Sequence, residues 1–201
     1  MDELPDFDHI QQAFQERLAR FKAEQGALGD RTVEVNRNFA PVWERLLDLG
    51  YAQDLRQESG ELSREAFRDH LEKDIRQMDA LLSKVADGDQ DVVTPCLRHI
   101  ATMFERLQDR WNSILHAQQA NKKAFAEVAS TKQQYVTKFG ANDARSGLNE
   151  EEMQGLLLSF LGLFEEEEQI LKRSQQHLVE LNHLLEVKER LLQVALDLLP
   201  K

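Results

Sequence analysis

Cys96 and His99 stand one helical turn apart, and a thiol beside an imidazole is the pairing of a nucleophile with its base. In the first turn of a helix the dipole would also favour the thiolate. No third residue is in place to orient the imidazole, no oxyanion-stabilising signature follows, and Asp87, Asp89 and Asp91 oppose a thiolate nearby. The expectation is an inert, packed cysteine and no catalytic residue.

Metal chemistry has two starting points. Glu180-Leu-Asn-His183 has the Glu-x-x-His spacing of carboxylate-bridged di-iron bundles, but those sites need two such motifs and two further glutamates on facing helices. His70, His99, His116 and His177 have no Glu three residues earlier. The segments beginning at Gly60 and Gly147 echo the second half of a calcium-binding loop, yet both put alanine or other non-ligands where oxygen ligands are needed. Both read as helix caps. No glycine-rich phosphate loop and no zinc spacing is present, so no cofactor or metal is expected.

The elements that would carry any site are long helices. One stripe runs Leu97, Ile100, Phe104, Leu107, Trp111, Ile114, Gln118, Asn121, Phe125, Val128, Lys132, Tyr135, Phe139. A second runs Met153, Leu157, Phe160, Phe164, Glu167, Leu171, Ser174, Leu178, Leu181, Leu185, Lys188, Leu192, Ala195, Leu199. Steps of three and four over about six heptads are the period of packed, supercoiled helices.

These patterns predict an all-α chain: a single elongated antiparallel bundle or coiled coil over 1–201. Its two long C-terminal helices, about 95–139 and 149–199, form a hairpin over 95–199. Three shorter N-terminal helices, 7–25, 31–49 and 63–86, lie against them. Gly26 and Gly29 separate the first two, and Pro41 kinks or splits the second. Ser63 starts the third; Thr94 caps the fourth, with Pro95 at its first position.

A hairpin turn centred near Ala144 would set Lys122 and Lys123 opposite Glu165–Glu168 and Asn121 near Glu167. Gln118, Asn121, Glu167 and Ser174 then form a polar layer in an apolar seam, a device that fixes register. Between Gly155 and Phe164 the apolar surface widens. Leu156, Leu158, Leu161 and Leu163 lie outside the seam and ask for cover from another helix or a partner.

Charge and composition bound the function. The net charge of −11 argues against a nucleic-acid surface and against broad adhesion to anionic membranes. Only Lys132, Lys138 and Arg145, near the turn, could meet lipid headgroups or another anionic partner. The longest apolar run, Leu156–Phe164, is far short of the roughly 20 residues a spanning helix needs. The first residues are acidic where a signal peptide is basic, and there is one cysteine, so a reducing, cytoplasmic setting is expected.

In length and helix layout the chain resembles the crescent-shaped helical dimers of the BAR type. That resemblance implies a dimer with membrane contact, and the acidic balance departs from it. The reading favoured by the residues themselves is a non-enzymatic scaffold or adaptor acting through protein contacts, as a homodimer. The alternatives are a BAR-like curvature or tethering module, and a chaperone-like binder of an apolar partner helix.

Overall fold

The computed structural model describes residues 7–52, 63–140 and 150–200. Among them there are four α-helices and no strand: α1 (Phe7–Asp48), α2 (Arg64–Ala86), α3 (Val93–Gly140) and α4 (Glu150–Leu198), with a single 3-10 turn over Gln90–Val92. Residues 53–62 and 141–149 lie outside the described residues, and with them Arg145 and both calcium-like segment starts, Gly60 and Gly147.

The expected first and second helices are one. α1 runs through Gly26, Gly29 and Pro41 without interruption. Each glycine costs roughly 1 kcal/mol in a helix interior. Burial of Leu28 between them, at 6% exposure, offsets that by about 1.5–3 kcal/mol. Phe14, Phe21, Leu28, Val35 and Val42 are spaced by sevens, so the apolar stripe never breaks. Pro41 lacks the N–H that would bond to the Arg37 carbonyl, but both residues are on the exposed face, where a missing helical bond costs least.

α1 stops where a glycine can adopt a left-handed backbone. Gly50 has φ 75°, and the Tyr51 amide reaches back to the Leu46 carbonyl at 2.9 Å. α2 ends the same way at Gly88, φ 93°, with the Asp89 amide on the Lys84 carbonyl at 3.1 Å. α2 begins as its sequence says: Ser63 Oγ accepts from the Ala66 amide at 3.2 Å. At α3 the start differs, because the 3-10 turn feeds directly into Val93, so Thr94 and Pro95 lie inside the first turn.

The chain divides into two compact units. The first comprises 1–26 and 114–180, so its helical residues come from α1, α3 and α4. Among its described residues the buried apolar side chains are Phe14, Ile114, Val128, Phe164, Ile170, Leu171 and Leu178. α3 and α4 run antiparallel here, as Asn121 meets Ser174 and Lys132 meets Glu167. α1 runs parallel to α4, through an ion pair between Arg17 and Glu168.

The second unit, 27–113 and 181–201, adds α2 to the same three helices and buries a longer apolar set. Leu46, Met78, Leu97, Ile100, Met103, Leu184, Leu185 and Leu191 are all shut off from solvent. An aromatic cluster closes α1 on α3. Phe104, 2% exposed, stands edge-on to Phe39 at 5.0 Å and to Trp43 at 6.4 Å between ring centres. α2 is held by Asp74, a carboxylate in the middle of its buried face that accepts from Arg106 Nη1 at 2.6 Å. No helix among the described residues is long and apolar enough to cross a membrane.

Candidate functional site

Three features carry polar chemistry or exposed apolar surface. The first is the seam layer of the first unit. Asn121 Nδ2 donates to Ser174 Oγ at 3.2 Å, and Ser174 Oγ donates to the Ile170 carbonyl at 2.9 Å. Lys132 Nζ donates to Glu167 at 2.6 Å and lies 3.6 Å from the centre of the Phe164 ring. Glu167 is 4% exposed and Asn121 9%, so these groups need one another. Gln118 Nε2 is enclosed and has no hydrogen-bond partner among the described residues.

All four residues expected in the layer therefore lie in the first unit, but their partners differ from the expected ones. Asn121 meets Ser174 rather than Glu167, one heptad further along α4. Such a slip keeps both apolar stripes facing and changes only which polar groups meet. Lys132, rather than Lys122 or Lys123, neutralises Glu167. Lys122 and Lys123 are exposed, and Lys123 sits 3.9 Å from Glu127 on its own helix. Of the three basic residues expected near the turn, Lys132 is thus committed within the unit. The Lys138 side chain and Arg145 lie outside the described residues.

The second feature is the widened apolar stretch of α4. Leu158 is 63% exposed, and Leu156, Leu157, Leu161 and Leu163 are half-buried. Val179 (64%) and Leu115 (39%) are further exposed aliphatics of the same unit.

The third feature lies in the second unit and was visible in the sequence only as a lysine on an apolar stripe. Lys188 Nζ donates to Asn36 Oδ1 at 2.8 Å and lies 3.9 Å from the centre of the Phe39 ring. It borders a small cleft, ≈ 40 Å³, lined also by Thr32, Asn36, Leu107, Gln108, Trp111, Leu184 and Leu185. Beside it Arg31 clamps Glu189 through two hydrogen bonds, at 2.9 and 2.5 Å. Burial pushes the Lys188 ammonium down to about 8 from 10.5.

The sign of that shift sets a pH dependence. A lysine whose folded pKa is lowered destabilises the fold fully below the folded value. The penalty fades as pH rises from about 8 to 10.5. Lys188→Met should stabilise the protein at pH 7 by about 1–2 kcal/mol, less than the full shift implies because the side chain keeps contact with water. Urea unfolding at neutral pH and near pH 10.5 checks this. An equal gain at both values would show that packing, and not charge, is responsible.

The other chemistry-bearing residues have the following surroundings. Cys96 is fully buried and burial raises its thiol pKa, so the lowering expected from the helix start does not prevail. His99 Nε2 donates to the Asp74 carbonyl on α2 at 2.8 Å. His183 is exposed, with Nδ1 4.0 Å from Glu186. Among the described residues no three side chains of His, Cys, Asp or Glu come together as a metal cluster. No family model, curated protein or solved structure matches this chain.

Proposed function

We propose that this chain is a non-enzymatic interaction protein, an elongated helical scaffold or adaptor that works through protein–protein contacts as a homodimer. The observation that carries the reading is the uncovered leucine surface of α4 in the first unit. An α-helix that presents Leu158 to water and leaves Leu156, Leu157, Leu161 and Leu163 half-covered has apolar area to bury. Exposed Glu151, Glu165 and Glu166 flank that surface, which favours a protein face over an anionic bilayer. Lys132, one of the three cations expected near the turn, already serves Glu167.

The test is solution mass with shape, by light scattering and small-angle scattering in line with size exclusion. The expected mass is twice the 23.2 kDa of the chain. Leu158→Glu should return it to one chain without loss of helicity, since the side chain is 63% exposed and contributes little to the fold of one chain. A wild-type mass of one chain at micromolar concentration would overturn the homodimer. A dimer indifferent to Leu158→Glu would place its interface elsewhere.

A further inference from the structure

Lys188 is half-buried on an apolar stripe of the second unit, held by Asn36 and the Phe39 ring. A methionine would fill the same stripe without a charge to desolvate. Three features of its surroundings point to one chemistry. The cleft of ≈ 40 Å³ has room for about three heavy atoms, taking roughly 10–15 Å³ for a water. Leu107, Trp111 and Leu185 give it apolar walls, suited to a small uncharged molecule. The side-chain amides of Asn36 and Gln108 line it too, and amide N–H groups can donate to an anion formed there.

We infer that Lys188 Nζ is a nucleophilic amine that takes carbon dioxide in this cleft to form a carbamate. The lone pair of the neutral amine attacks the carbon of CO2, and one C=O π pair moves onto oxygen. The nitrogen then loses one proton to solvent, leaving an N-linked carboxylate. Nothing is oxidised or reduced, and CO2 is the only co-reactant.

The reaction needs the amine neutral, and here burial helps. With Lys188 lowered to about 8, roughly a quarter of it is neutral at about pH 7.5, against roughly 0.1% for an ordinary lysine. The product exchanges a positive charge for a negative one. That ends the ammonium's contacts with Asn36 Oδ1 and the Phe39 ring, which join α4 to α1 in this unit. Carbon dioxide would thereby loosen one helix contact while the Arg31–Glu189 clamp beside it remains.

The experiment equilibrates the full chain with isotopically labelled bicarbonate near about pH 8, traps carbamates with a trialkyloxonium reagent, and locates them by peptide mass spectrometry. The expected result is an adduct at Lys188 at least tenfold above that at exposed Lys122 and Lys123. The labelled carbamate resonance in carbon NMR should disappear in Lys188→Arg. No adduct at Lys188, or one no greater than at Lys122 and Lys123, overturns the proposal. The site comparison is made within the wild-type chain, so it stands even where the variant folds poorly.

Discussion

Lys132→Met should destabilise the protein by about 3–5 kcal/mol, a loss that the double variant Lys132→Met/Glu167→Met largely recovers. Glu167 is 4% exposed, and the Lys132 ammonium at 2.6 Å is its counter-ion. Removing one partner of a buried pair strands the other charge in a medium that solvates it poorly. Replacing both with apolar side chains of similar volume is often neutral or stabilising. The methionine keeps the contact with the Phe164 face, so the single variant isolates the loss of charge. Urea unfolding followed by circular dichroism gives both numbers. A single-variant cost below about 1 kcal/mol would mean that water reaches Glu167 and the seam is open.

The second large effect belongs to the aromatic cluster of the other unit. Phe104→Ala is expected to cost about 3–5 kcal/mol, from the lost transfer energy of a ring that is 2% exposed and from the cavity left behind. Its edge-to-face contacts with Phe39 and Trp43 join α3 to α1, so the cavity opens between two helices. Against a typical total of roughly 5–15 kcal/mol, that loss is enough to populate unfolded chain at ambient temperature. Phe104→Leu should retain most of the stability, at a cost of about 1–2 kcal/mol. If alanine costs no more than leucine, the neighbouring rings have collapsed into the space.

Much of this arrangement was legible in the residues. The stripes of α3 and α4 have a 3.5 period, and the structure follows them as helices over nearly the expected spans. Ser63 announced the start of α2. The errors have physical causes. Gly26 and Gly29 look like a helix stop, but a glycine ends a helix only where the backbone turns left-handed, as at Gly50 and Gly88, and here the spacing by sevens from Phe14 to Val42 carries the helix across. The hairpin register was missed by one heptad because apolar periodicity is blind to a slip of seven. Only individual polar contacts such as Asn121 with Ser174 distinguish the two registers.

The candidate sites were legible as interruptions. Every polar residue of the seam layer, and Lys188 as well, stands where a stripe would otherwise be apolar. Which aromatic ring each lysine would lie on depended on neighbours far away in the chain: Phe39 for Lys188 and Phe164 for Lys132. Asp74 gave no signal in the sequence, since an acidic residue in a helix is ordinarily a solvated one. Its burial is tolerable only with Arg106, which lies 32 residues further on.

The pairing of α1 with α4 also has a consequence for how the chain is made. Arg17 waits for Glu168 and Arg31 for Glu189, separations of 151 and 158 residues, whereas Lys132 and Glu167 are only 35 apart. At roughly 5–20 residues per second, α1 leaves the ribosome about 8–30 s before its partner is synthesised. The α3–α4 hairpin closes a short loop and forms early; α1 must close a long one. Through that interval the part of α1 that α4 will cover stays open, an amphipathic surface within reach of neighbouring nascent chains. Synthesis is therefore the stage at which α1 is most exposed to pairing with the wrong helix.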